Sequence, residues 1–156
     1  MRRFLCIATA ALFVAPSASA QTADSVAIIA VVQKLFDGMR KKDTTSMRAL
    51  FVPQARMLGL RGDSAVSASP VDGWLTSIAR NPTGPMADEK TWGYEVRVDG
   101  NIAQAWMQYA LYVDTTFRHC GVDAFDLVKL RGEWKIVSVM DTRRTTGCPT
   151  PPAGAR

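Results

Sequence analysis

The sequence predicts an α+β domain in which a curved antiparallel sheet is closed by three N-terminal helices. Three observations predict it. Apolar residues recur at helical spacing up to about position 80. From Asp88 onward the spacing changes to strand-like alternation. The strand-like stretches are joined by turns short enough to be hairpins. The chain has 156 residues, a length for one domain. With 47% hydrophobic and 21% charged residues, it is not disordered, collagen-like or coiled-coil.

Residues 1–20 read as a secretory signal peptide. Arg2 and Arg3 precede an apolar run from Phe4 to Val14, and Ala18-Ser19-Ala20 is an A-x-A cleavage site. The run is shorter than the roughly 20 residues that span a bilayer, so no stable membrane anchor is expected. Cleavage near Ala20 exports the chain to the periplasm or outside the cell. The domain then covers 21–148, and the Pro-, Gly- and Ala-rich residues 149–156 form a flexible C-terminal tail.

Asp24 or Ser25 caps the first helix, which runs to about Lys42 with Ile29, Val32, Phe36 and Met39 on one face. Arg40, Lys41 and Lys42 suit the negative end of its dipole. Asp43 caps a short second helix carrying Met47, Leu50 and Phe51, which Pro53 stops. Ala55 to Leu60 is a brief strand and 61–69 a loop, with Arg61-Gly62-Asp63 read as a turn. Ser69 caps a third helix with Pro70 at its first position and Val71, Trp74, Leu75 and Ile78 inside. Four strands follow, near 89–98, 101–114, 117–130 and 133–143. Asp99-Gly100, Thr115-Thr116 and Arg131-Gly132 mark the turns. Strands of this length coil strongly and wrap around something, and the helices are the available filling.

The formal charge of +5 invites a nucleic-acid reading. Two of those charges leave with the signal peptide, and the strands offer too few Lys and Arg for a basic groove, so no nucleic-acid partner is expected. One histidine, His119, excludes a two- or three-His zinc site. No phosphate loop, dinucleotide fingerprint, G-x-S-x-G or C-x-x-C is present, so neither metal nor cofactor is expected. Of three cysteines, Cys120 and Cys148 survive cleavage. They form one disulfide in an oxidising compartment or stand as two free thiols.

Pairing the strands from their turns assigns side chains to faces. One face carries Trp92, Tyr94, Met107, Tyr109, Asp126, Val137 and Asp141 among apolar neighbours, the composition of a small-ligand pocket or of a core. The other carries Trp106, His119, Asp123, Phe125 and Trp134, and suits an outer wall or a homodimer contact. Asp126 is singled out as a carboxylate on the apolar face, a ligand contact or a group tied to an arginine or backbone donor. Asp141 and Arg143 share a face near the sheet end, as a lock on the C-terminus or an anion site.

Val31-Val32-Gln33-Lys34, then Asp43 before Ala49-Leu50-Phe51, resemble the opening of the nuclear transport factor 2-like (SnoaL-like) superfamily. Gly132-Glu133-Trp134-Lys135-Ile136-Val137 resembles its closing hairpin. The stretch from His119-Cys120-Gly121-Val122 through Asp141-Thr142-Arg143-Arg144 to Cys148 resembles its exported, lumazine-binding-like branch. The resemblance covers roughly residues 24–148 and implies a cone of curved sheet with a pocket inside. It also places Asp126 where ketosteroid-isomerase members carry an aspartate that donates a hydrogen bond to substrate. Leu35 and Leu58 or Gly59 stand where that enzyme has its tyrosine and general base, so its chemistry does not carry over whole. Three functions follow: binding a small, mostly apolar molecule in the cone, acid–base catalysis of isomerase, dehydratase or cyclase type by Asp126, alone or with Tyr109, or dimerisation and protein interaction through the outer face.

Overall fold

The computed structural model describes residues 18–61 and 65–156. The n-region and apolar run of the expected signal peptide lie outside the described residues. Helix α1 (Ala18–Lys41) starts upstream of Asp24. It buries Ile28, in place of the expected Ile29, with Val32, Leu35, Phe36 and Met39, a stripe at 4, 3, 1 and 3 spacing that faces the sheet. Each such burial stabilises by about 1.5–3 kcal/mol. Asp24 does not cap the helix. Its Oδ1 accepts from Lys129 Nζ at 2.7 Å and Trp134 Nε1 at 3.0 Å, and so ties the helix to the far hairpin.

Helix α2 (Thr44–Arg48) is capped by Asp43, which accepts from the Ser46 amide at 3.0 Å. The helix ends before Pro53, which lies inside strand β1 (Phe51–Arg61). Proline is tolerated there because the pairing of β1 shifts register between Phe51 and Arg56. Strand β2 (Ala65–Pro70) occupies most of the expected loop and pairs antiparallel with β1. All six of its residues are exposed, so no alternation marks it in the sequence. Pro70, not Ser69, is the N-cap of α3 (Val71–Ala79), and no side chain caps that end.

Strands β3 (Ala87–Asp99), β4 (Ile102–Val113), β5 (Thr116–Leu130) and β6 (Glu133–Thr142) form the expected meander. The six-stranded curved, unclosed sheet has the order β2-β1-β6-β5-β4-β3, with β1 parallel to β6 and all other pairs antiparallel. The helices pack on its inner face around Met107, Phe125, Leu127 and Ile136. Arg156 exchanges main-chain hydrogen bonds with Thr91 on the outermost strand, β3.

Three bulges decide which side chains face inward. On β3 the register shifts between Trp92 and Glu95, where Gly93 takes a positive φ of 66°. On β5 the pairing passes from Tyr112↔Phe117 to Leu111↔His119, so Arg118 is the extra residue. On β6 it passes from Leu127↔Ile136 to Asp126↔Ser138, so Val137 is extra. Each extra residue flips the strand beyond it.

Candidate functional site

Arg118 turns the inner face of β5 over to His119, Gly121, Asp123, Phe125 and Leu127. Asp126 therefore points outward, contrary to the face assignment from the turns. It is exposed and accepts from Gln104 Nε2 at 3.0 Å and Ser138 Oγ at 2.6 Å. Trp92 pairs with Gln108 on the outer side of the Gly93 bulge, and Val137 is the bulged residue of β6. None of these three lines the inner cavity. Phe125, expected outside, is 1% exposed inside the core, and Trp134 is also buried there. Met107 is fully buried, and Tyr94 sits on the inner face with its hydroxyl 2.6 Å from Thr91 Oγ1. Tyr109 and Asp141 reach the cavity as expected. Asp141 does so because the bulge on β6 cancels the one on β5.

The cavity holds about 320 Å³ between α1, α3 and the sheet. Leu35, Phe36, Met39, Trp74, Leu111 and Phe125 make its apolar side. The polar side brings together Glu89 from β3, Tyr109 from β4, His119 and Asp123 from β5, Asp141 from β6, and Arg143 just beyond it.

Asp123 is 3% exposed, and its Oδ2 is buried with no donor. Burial raises its carboxyl well above the ordinary range, and the neighbouring charges of Glu89 and Asp141 raise it further. Burial likewise pushes Glu89 up to about 7, with the charge of Asp141 adding to the rise and that of Arg143 opposing it. Burial and the neighbouring carboxylate charges raise both groups, so the pair keeps a proton near neutrality. Arg143 Nε pairs with Asp141 Oδ2, which holds the guanidinium firmly charged.

Tyr109 is 1% exposed and donates its one hydroxyl proton to the Thr142 carbonyl at 2.8 Å. The same hydroxyl lies 3.0 Å from His119 Nδ1, and the two rings meet edge to face at 5.6 Å. A carbonyl only accepts, so His119 Nδ1 carries the proton and donates to Tyr109. Burial and Arg143 lower the pKa of His119 and keep the ring neutral. Its Nε2 is then an unprotonated acceptor. Burial raises the Tyr109 phenol, so it stays a donor.

The expected disulfide is present. Cys120 and Cys148 are joined with their Cα atoms 5.8 Å apart. Cys120 also exchanges main-chain hydrogen bonds with Arg144 at 2.9 Å, so the segment carrying Arg143 is held against β5. Gly121 permits this approach. A Cβ there would stand 1.8 Å from the Thr142 carbonyl oxygen.

Glu89, His119 and Asp123 are the site residues that turn-based pairing misses. A signal for two of them existed. Phe125 and Leu127 are the bulkiest alternating pair of β5, and Asp123 and His119 share their parity. Among the described residues, no cluster of three or more His, Cys, Asp or Glu side chains is arranged to hold a metal ion. No described helix is long and apolar enough to cross a membrane.

Residues 23–140 match the family model described as "Putative lumazine-binding". A nuclear transport factor 2-like protein of unknown function from Shewanella baltica superposes with a TM-score of 0.60 at 22% identity, covering 84% of this chain and all (100%) of that one. A Mycobacterium tuberculosis protein of unknown function reaches a TM-score of 0.69 at 14% identity, covering 83% and 76%. A "putative dehydratase" of the same fold family from Streptomyces avermitilis gives 0.63 at 13% identity, covering 81% and 99%. No curated protein matches the chain.

Proposed function

Because this chain belongs to the family described as "Putative lumazine-binding", within the nuclear transport factor 2-like superfamily, we propose that it is an exported protein that binds one small organic molecule in its cone. The observation that carries this is the cavity of about 320 Å³, apolar on the helix side and mixed apolar and polar at the sheet. That is the arrangement of a small-ligand site, an apolar enclosure with a few placed polar groups. Export is supported by the sequence of residues 1–20 and by the Cys120–Cys148 bridge. The family description makes lumazine, a flat heteroaromatic ring with N–H donors, the first molecule to try.

Native mass spectrometry of the protein taken from its export compartment, with a lumazine titration beside it, tests the reading. One small molecule per chain is expected, lost in Leu111→Trp, which fills the cavity, and kept in Asp126→Asn, which lies outside it. Equal binding by wild type and Leu111→Trp would place the ligand elsewhere and sink the proposal.

A second reading, acid–base catalysis, moves from Asp126 to the cavity. It rests on one observation: a neutral histidine with Nε2 free to accept a proton faces the same space as a carboxyl pair that holds one. Solvent deuterium entering a cyclic ketone, abolished in His119→Ala, is the expected signature, and no exchange above background counts against it. The outer face, where Trp106 is 49% and Met140 39% exposed, is the surface for the expected homodimer. Phe125 is buried and takes no part. Sedimentation as a monomer at high concentration would remove that expectation.

A further inference from the structure

Building on the pocket reading above, we propose that the occupant of the cone is cationic: an organic amine with an apolar body, its protonated nitrogen held by Glu89 and the unpartnered Oδ2 of Asp123. Three carboxyls, Glu89, Asp123 and Asp141, line one cavity with a single arginine, Arg143. Asp141 already engages that arginine. His119 supplies no second cation, because its Nδ1 is committed to Tyr109 and the ring is neutral. Lys90 and Arg40 pair with Asp88, at 2.9 and 3.0 Å, and line no part of the cavity.

The acidic groups alone would not make a site. The second observation is Asp123 Oδ2, an oxygen without a donor on a side chain 97% removed from solvent, in the wall of an open space. A buried acceptor left unpaired is costly to the folded state. An ammonium brings three N–H donors, enough for this oxygen and for Glu89 together. Its charge lets both carboxyls ionise, and charge-assisted bonds of that kind are roughly twice as strong as neutral ones. Binding releases the proton that the pair keeps to solvent, so the charge of the site is the same before and after. The apolar body lies against Phe36, Trp74, Leu111 and Phe125. A neutral alcohol of the same shape gains only the apolar contact and one hydrogen bond. A carboxylate meets like charge.

The groups that face Glu89 set the pH dependence. They are Asp88 on its own strand, Tyr109 on β4, His119 and Asp123 on β5, Asp141 and Arg143 at the end of β6, and Arg40 of α1, whose Nη1 donates to the Glu89 carbonyl. The α3 and β1 residues in the wall, Trp74 and Met57, carry no charge.

Calorimetry with tryptamine, tryptophol and indole-3-propionate, three indoles that differ in end-group charge, tests the inference. At pH 8 tryptamine is expected to bind at least ~10-fold tighter than tryptophol. The preference shrinks toward pH 5.5. In two buffers of unlike ionisation enthalpy, tryptamine binding releases up to one proton and tryptophol binding none. Glu89→Gln and Asp123→Asn lose the preference and keep tryptophol; the wild-type buffer comparison stands alone should either variant misfold. Equal affinity of the two probes, tightest binding of indole-3-propionate, or an undiminished preference in Glu89→Gln overturns the cationic occupant. Tryptophol binding that Leu111→Trp abolishes, with no preference for the amine, leaves the pocket standing and removes this inference. Failure of all three probes at millimolar concentration counts against both.

Discussion

The Glu89–Asp123 pair makes stability depend on pH in a way that one conservative substitution should erase. In the folded chain the Glu89 carboxyl is pushed up to about 7 from an ordinary 4.5, first by burial. The folded state therefore holds the proton more tightly than the unfolded chain does. That contribution is complete below about pH 4.5 and disappears as pH rises through about 7. At about 1.4 kcal/mol per pH unit it amounts to about 3 kcal/mol. Asp123 is shifted in the same direction, partly by the charge of Glu89, so Glu89→Gln removes one titration and relieves the other. Urea unfolding of wild type and Glu89→Gln, followed by circular dichroism from pH 5 to 8, measures the effect. Relative to the variant, wild type should lose about 2–3 kcal/mol across that range, with an unchanged urea slope.

Other groups do not produce this difference. His119 is lowered by burial and Arg143, so its contribution is present above its ordinary 6.5 and lost as pH falls. That sign is opposite, and Glu89 is not among its causes, so it cancels between the two proteins. Asp24, Asp43, Asp88 and Glu133 are all held low by partners. Their contributions disappear only as pH falls below the ordinary carboxylate range, outside the window. Parallel stability curves for wild type and Glu89→Gln would refute the proton-holding pair and the electrostatics built on it.

Gly121→Ala forces a Cβ against the Thr142 carbonyl and the Tyr109 ring, and chemical denaturation should show a loss of about 2–3 kcal/mol. Replacing Cys120 and Cys148 by alanine opens a loop of sequence separation 28. The chain-entropy model gives a loss of about 3.5 kcal/mol, read as a fall in the urea midpoint; a loss under about 1 kcal/mol would mean that the Cys120–Arg144 main-chain pair holds the segment unaided. Asp126→Asn, on the outer face, should change stability by less than about 1 kcal/mol, whereas Asp123→Asn should flatten the wild-type pH profile.

Much of the fold was legible along the chain. The stripe of α1, the Asp43 cap, the four long strands and the Cys120–Cys148 pairing all rest on local chemistry or on order along the chain, which side-chain periodicity and cysteine position record directly. Strand β2 was not legible, because a strand exposed on all six residues leaves no alternation to read. The parallel pairing of β1 with β6 was hidden for another reason, as it joins segments far apart along the chain and no turn announces it.

The candidate site divides the same way. The amino-acid sequence by itself determined that long antiparallel strands would wrap amphipathic helices, and that Tyr109 would share a face with Met107 toward them. Only the tertiary structure decided that Asp123 and not Asp126 is the buried carboxyl, and that His119 joins it. The physical reason is the period of two. A single extra residue at Arg118 exchanges the faces of all of β5 beyond it, and a second at Val137 restores Asp141. Bulges of this kind cost little locally and are chosen by how Phe125 and Leu127 pack under α1, a decision made by the whole core and not by the residues that flip.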